Sequence, residues 1–369
     1  MKILMIGWGY PPKIQGGLDT HVYEISRELA KNNDVFLTLP EFNSPKGDPE
    51  RIKIIPIKCP KTSGSLVKAV IEYNKNIVKD CAGLAFDVIH SHDWFGVEAA
   101  DGLREKSGRP WIFTLHSLEF MRSCQQGRKT IMERLERRGA EKCDMLVTVS
   151  QFMRREIGEK YGVPKEKISV VYNSARASMG EPGKIRKRFG LGQRPVALFL
   201  GRLSSQKGPE YFLRSAKMAL QEIPDARFLI AGEGHLRDGL ERFASHLGLD
   251  GKVFFTGFAQ EKDLGSYYGD ADVFVLPSLY EPFGITALES VLSGTPAIVS
   301  EGSGVLERAD GMDCLMKVRP GDSADLAEKL VHALSSRKRV SEREKKAIQK
   351  AYSWERSAAE ILEIYQRFI

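Results

Sequence analysis

Short apolar runs alternate with stretches of helical periodicity along nearly the whole chain, the pattern of a parallel α/β architecture. Lys2–Gly7 (KILMIG) reads as a buried first strand, followed by a Gly/Pro loop and a helix over Asp19–Asn32. Further strands are expected at Val35–Leu39, Ile52–Ile57, Val88–His90, Trp111–Leu115, Met145–Val149 and Ile168–Val171. From Asn173 to about Gly183 the residues (NSARASMGEPG) are small, polar and turn-rich, which marks a linker. A second α/β series follows, with a helix at Lys184–Phe189 and strands at Val196–Leu200, Phe228–Ala231, Val253–Thr256, Val273–Leu276 and Ala297–Val299. A charged run, Arg337–Lys350, reads as a solvated helix. Trp354–Ile369 reads as an amphipathic one.

Composition narrows the class without naming a chemistry. A chain of 369 residues, 42% hydrophobic and 28% charged, suits two soluble domains, each with its own core. No apolar run approaches the ~18–20 residues that cross a bilayer, and the N-terminus looks like a strand rather than a secretory leader. Five scattered cysteines without a CxxC pair suit a reducing cytoplasm and argue against structural zinc. The net charge of +7 favours anionic partners. Neither a helix-turn-helix nor an aromatic-basic RNP pattern is present, so nucleic acid is not expected.

The loops carry the candidate chemistry. After the first strand comes GWGYPPKIQGGL, where Pro12 holds the place of the third glycine of a dinucleotide fingerprint. The prolines delay the helix until after Gly16-Gly17, which reads either as a tight turn or as bare N–H groups offered to a phosphate at a helix N-terminus. After the strand Val196–Leu200 comes Gly201-Arg202-Leu203-Ser204-Ser205-Gln206-Lys207-Gly208. Arg202 and Lys207 stand five residues apart, where an open sheet binds its ligand, and can neutralise a diphosphate. Glu281 and Glu289 lie in YEPFGITALE, a loop leading into a helix over Ile285–Leu292. Eight residues at helical rise span ~12 Å, too far for the roughly 5–9 Å carboxyl pair of a glycosidase. That spacing suits the two ends of a sugar nucleotide. Asp270-Ala271-Asp272 reads as a strand entry rather than a metal motif, and His90, His92 and Asp93 lack an obvious further ligand, so no metal is expected.

Taken together, YPPKIQGGL, HSHDWF, TLHSLEFMRS, DMLVTVS, GRLSSQKG and PSLYEPFGITALES resemble the retaining nucleotide-sugar glycosyltransferases of family four over nearly the whole chain. The resemblance implies the GT-B fold, two doubly wound Rossmann-like domains facing each other across a cleft. Residues 1–175 would be the acceptor-side domain, with helix 354–369 packing back on it, and residues 183–350 the nucleotide-sugar domain. It implies that Arg202 and Lys207 bind the diphosphate, approached by backbone at Gly16 and Gly17. Glu289 would hold the ribose, Glu281 and His116 the donor sugar near the reacting centre, and the amides of Phe283 and Gly284 sugar or phosphate. His92, Asp93 and Trp94 would face the acceptor. Transfer would retain anomeric configuration without metal or cofactor, the leaving phosphate assisting deprotonation of the acceptor.

HSHDWF and HSLEFMRS look most like the glycogen-synthase-like α-glucosyltransferases, implying glucose as the sugar and a glucan as acceptor. Ile14, Asn173-Ser174-Ala175-Arg176 and Gly302-Ser303-Gly304 depart from that narrower pattern. A second reading takes the basic stretch Gly127–Lys142 to an anionic membrane and a lipid-linked or small-molecule acceptor. A sugar-nucleotide epimerase and a non-catalytic sugar-nucleotide sensor are the remaining alternatives.

Overall fold

The computed structural model describes residues 1–14, 16–45, 51–61, 65–124, 130–309 and 311–369. Two compact units result. The first comprises Met1–Asn173 with Trp354–Ile369, and the second Ser174–Ser353. Both sheets are wholly parallel, two similar answers to one sequence pattern.

The first unit holds seven strands: β1 (Lys2–Ile6), β2 (Asp34–Pro40), β3 (Ile52–Ile57), β4 (Val88–His92), β5 (Trp111–Leu115), β6 (Met145–Thr148) and β7 (Ile168–Val170), in the order β3-β2-β1-β4-β5-β6-β7. β4 and β5 are buried along their full length. β5 (WIFTL) is the near-continuous apolar strand that burial on both faces favours, whereas in β4 (VIHSH) hydrogen bonds engage the buried His90, Ser91 and His92. On one face Val22, Ile25 and Leu29 of the helix Gly17–Leu29 share a core with Trp354, Ile361, Ile364 and Tyr365 of the helix Trp354–Gln366. Ile361 is fully buried, and truncating such a side chain to Ala costs about 2–5 kcal/mol. Tyr365 also reaches His90 (Oη–Nδ1 2.6 Å), and Ser357 Oγ donates to the Tyr172 carbonyl at 2.6 Å.

In the second unit six strands follow: β8 (Val196–Leu200), β9 (Arg227–Ala231), β10 (Val253–Gly257), β11 (Val273–Leu276), β12 (Ala297–Ser300) and β13 (Leu315–Val318), in the order β10-β9-β8-β11-β12-β13. Phe199, Phe212, Phe228, Ile230 and Leu330 lead its core. The expected strands are present with ends shifted by a residue or two. β13 (LMKV) was not expected, its four residues offering too little apolar pattern to register. The charged run 337–350 is not one helix. The helix Ser323–Ser336 ends at Arg337, whose φ of 47° is left-handed, and a capping box at Ser341 and Glu344 starts the helix Glu342–Ala351. Arg337 is held there by Asp272 (Nε–Oδ1 3.0 Å) and the Gln193 carbonyl.

Candidate functional site

In each unit the strand order reverses once, between β1 and β4 in the first and between β8 and β11 in the second. The crevice outside the carboxyl ends of such a strand pair is where an open α/β sheet binds its ligand. Nearly all the candidate residues follow these strands.

In the second unit the segments after β8 and β11 are stitched together. Leu279 N–H donates to the Gln206 carbonyl at 2.8 Å, and Gln206 Nε2 donates to the Tyr280 carbonyl at 3.1 Å. Gly208 ends the cationic loop at φ 67°, and a Cβ there would stand 2.2 Å from the Pro277 carbonyl oxygen, so no side chain fits. This seam sets Lys207 Nζ 2.7 Å from Glu281 Oε2, which also accepts from Ser278 Oγ at 2.8 Å. Glu281 is buried while Lys207 keeps a quarter of its side chain in solvent. Arg202 is exposed, and its guanidinium has no partner among the described residues. A paired, partly exposed lysine and an unpaired arginine suit an anion that arrives and leaves.

Glu281 precedes the buried Phe283 and Gly284, with Gly284 at φ 104° leading into the helix Ile285–Leu292. Phe283 packs edge-on to Tyr352, and its carbonyl accepts from Val305 N–H at 2.8 Å. Glu289, one turn along that helix, is half-buried and takes the Tyr268 hydroxyl on Oε2 at 2.8 Å. Burial raises its pKa, with the Tyr268 hydrogen bond opposing. Its Oε1 has no partner among the described residues. Asp270 and Asp272 are fold anchors. Asp270 accepts from the N–H groups of Gly183, Ile185 and Arg186, while Asp272 binds Val196 N–H, Arg186 and Arg337.

In the first unit Gly16 and Gly17 are exposed at the start of the helix Gly17–Leu29, which has no side-chain cap. Within the first turn the buried Asp19 accepts from Gly9 N–H at 2.9 Å and pins the preceding loop. His116, just past β5, and His92, at the end of β4, meet through Nε2 and Nδ1 at 3.2 Å. Asp93 follows His92 with φ 45°. Its Oδ1 accepts the His116 N–H at 2.8 Å, which offsets the roughly 1–2 kcal/mol of a left-handed non-glycine residue. Burial lifts the Asp93 pKa to about 7 against the pull of Arg122, 3.6 Å away. Trp94 is buried at 3% and stacks on Phe95, so its ring belongs to the packing of the unit.

Behind Asp93 lies a buried ionic network that the sequence did not announce. Arg122 bonds Glu136 directly, Glu119 at 3.3 Å and the Ser117 carbonyl at 3.0 Å. Burial works against its charge, but the carboxylates of Glu136, Asp93 and Glu119 raise its pKa overall. Glu136 also takes the Tyr161 hydroxyl at 2.7 Å and Glu119 N–H at 3.0 Å. His21, also missed, stands four residues before Ile25 on the apolar face of its helix, and that position was the available signal. Three of the four cations of the helix Ile131–Lys142 are engaged within the unit, and Arg134 is exposed. Arg138 and Lys142 bind Asp101, and Arg137 lies over the Tyr161 ring. The rest of the expected basic stretch, Gly127–Lys129, lies outside the described residues. No described helix is long and apolar enough to cross a membrane.

Residues 15–176 match Glycosyltransferase Family 4, and residues 183–354 match Glycosyl transferases group 1. An uncharacterized glycosyltransferase of Methanocaldococcus jannaschii is 31% identical, over 99% of this chain and 98% of that one. The chain belongs to the nucleotide-sugar glycosyltransferases of family four. The glycogen synthase of Mycobacterium tuberculosis is a further relative of this glycosyltransferase, 28% identical over 99% of this chain and 94% of that one. Its fold is GT-B. The sucrose-phosphate synthase of Thermosynechococcus elongatus superposes with a TM-score of 0.82 at 21% identity over 99% and 98% of the two chains. Anabaena HepE in complex with UDP-glucose gives 0.77 at 17% over the whole of both.

Proposed function

We propose that this glycosyltransferase moves glucose, with retention, from a nucleoside diphosphate glucose to a hydroxyl of an α-glucan-like acceptor. The observation that carries the reading is the Lys207–Glu281–Ser278 cluster at the β8/β11 reversal, with Arg202 unpaired beside it. Without donor, Lys207 rests on Glu281. A bound diphosphate would draw Lys207 and Arg202 to its oxygens and free Glu281 to accept from hydroxyls of the sugar. The two cations then meet the charge that develops as the diphosphate departs, where fixed charge lowers the barrier most. On this reading no divalent ion is needed at the diphosphate, and the leaving phosphate takes the acceptor proton.

Glu289 offers Oε1 to the ribose hydroxyls while Tyr268 fixes Oε2. Gly16 and Gly17 bring bare N–H groups to phosphate, and the backbone at Phe283 and Gly284 adds contacts at the sugar end. His116 donates to a donor-sugar hydroxyl. Asp93 acts through the His116 backbone, and His92 and Trp94 form the wall behind the acceptor. Glucose and a glucan acceptor draw support from the glycogen synthase relative and from a structural neighbour solved with UDP-glucose.

A panel of UDP-, ADP- and GDP-sugars, each with glucan, phospholipid-linked or small-molecule acceptors, tests the reading through nucleotide release and product anomer. Glucan-dependent release with an α-linked product is expected. Transfer only to a lipid or small molecule would overturn the acceptor, an isomerised free sugar would make the protein an epimerase, and binding without turnover a sensor. Added magnesium or manganese is expected to leave the rate unchanged.

A further inference from the structure

Four histidines converge in the first unit: His21 from the helix Gly17–Leu29, His90 and His92 from β4, and His116 past β5. His90 is fully engaged, by Tyr365 through Nδ1 and by Thr114 Oγ1 through Nε2 at 2.7 Å. The other three are not. His21 Nε2, His92 Nε2 and His116 Nδ1 are buried without a hydrogen-bond partner among the described residues. Of these three atoms only His21 Nε2 is a ligand atom in the site proposed below, and a buried polar atom left without a partner points to something that completes it.

We propose that His21, His92 and His116 bind one divalent transition-metal ion of the zinc class. One ring nitrogen from each lies within 4.8 Å of those from the other two. His92 Nδ1 and His116 Nε2 are 3.2 Å apart, close to the roughly 3.3–3.4 Å between two imidazole nitrogens on one tetrahedral zinc with bonds of about 2.0–2.1 Å. His21 Nδ1 faces Asn173 Oδ1 at 2.7 Å. It must donate there, which leaves a lone pair on Nε2 for the ion. An outer hydrogen bond of this kind fixes the tautomer of metal-bound histidines generally.

The surroundings keep the rings in the form that ligates. Burial lowers the pKa of all three, that of His21 to about 4, so each is neutral near pH 7. The nearest cation, Arg122, is matched by Glu136, Glu119 and Asp93. Three imidazoles suit zinc, cobalt, nickel or copper rather than magnesium or calcium. They leave a fourth position for water or a hydroxyl. With Nε2 on the ion, His116 carries its hydrogen on Nδ1, so ligation and the proposed sugar contact use opposite ring nitrogens. This ion is separate from the diphosphate, where none is needed.

The test uses the full chain without a histidine tag, grown with zinc, desalted and assayed for metal, then stripped and reloaded with cobalt. About one zinc per chain, the visible bands of tetrahedral cobalt and three imidazoles by X-ray absorption are expected. Asn173→Ala should weaken zinc about 10–100-fold, and His21→Gln should remove it, while His235→Gln at an exposed position changes nothing. A thermal melt followed by tryptophan fluorescence establishes that each variant folds. If a variant fails to fold, the imidazole count of the wild type decides. Zinc lost on desalting, fewer than three imidazoles, or unchanged affinity in folded His21→Gln would overturn the site. These readouts register the ion rather than turnover, so failure of the transfer assay and failure of the metal site are separately visible.

Discussion

The two units share a plan and spend their polar residues in opposite ways. All four histidines of the first unit are buried, whereas His235, His246 and His332 of the second are exposed. All four tryptophans, Trp8, Trp94, Trp111 and Trp354, belong to the first unit. At its strand reversal the first unit gathers neutral rings, backed by a closed ionic network around Arg122. The second places a solvent-facing Lys207 and an unpaired Arg202 at the equivalent point. Neutral, preformed donors suit hydroxyls, which carry no charge and change little during reaction. Mobile cations suit a group whose charge grows as it leaves.

The largest separation between the units should come from Arg122→Ala. It strands Glu136 and Asp93 as unpaired buried acids, and such a break costs about 3–5 kcal/mol. Denaturant unfolding followed by tryptophan fluorescence reads this unit alone. A loss below about 1 kcal/mol would show that the network does not hold the unit together. Lys207→Ala should leave that transition in place and lower kcat about 10²–10³-fold, on the scale of losing one transition-state donor. A rise in KM at constant kcat would instead make Lys207 a ground-state contact.

Acid should separate the units next. In the zinc-free folded chain burial lowers the His21 pKa to about 4 and the His90 pKa to about 3, against about 6.5 unfolded. Below pH 6.5 the unfolded state therefore takes up protons that the folded state refuses, and their stabilisation is lost as pH falls toward 4. Asp93 opposes this. With its pKa raised to about 7, its contribution is full below about pH 3.9 and lost as pH rises through 7. The lowered pKa values of His92 and His116 add to the histidine side, so the tryptophan-detected stability should fall from pH 6.5 to 4. A flat or rising profile would mean that the histidines are solvated. Glu289→Ala should raise the donor KM about 10-fold with kcat nearly unchanged, the scale of one hydrogen bond to a charged group, and a pure kcat effect would remove it from the ribose. The smallest effect is expected of Arg202→Ala on stability, within about 0.5 kcal/mol for an exposed side chain.

Legibility in the sequence followed the same division. β5 was readable because a strand covered on both faces is a run of apolar residues, whereas β4 was readable only as far as His90 because its last residues are polar. Arg202, Lys207, Glu281 and Glu289 stood out because each pair sits within one short segment whose spacing limits its chemistry, and the structure brings Lys207 and Glu281 into contact. His21, His92 and His116 were not legible as a group, since 95 residues separate the first from the last and only the sheet order unites them. Arg122 stood in plain view within HSLEFMRS, but its partner Glu136 lies on a helix whose pattern reads as solvated. The stop at Arg337 was hidden because it depends on Asp272, far away in the chain. Asp270 and Asp272 read as a strand entry because they stand immediately before the apolar strand Val273–Leu276, and their bonds to backbone N–H groups supply the physical reason.

The helix Trp354–Gln366 completes a unit whose strands all precede residue 174. During synthesis the ribosome therefore releases every residue of the second unit before the first can close. Until then the face formed by Val22, Ile25 and Leu29 stays wet, and His90 waits without Tyr365. The half that is made first is therefore the half that is completed last.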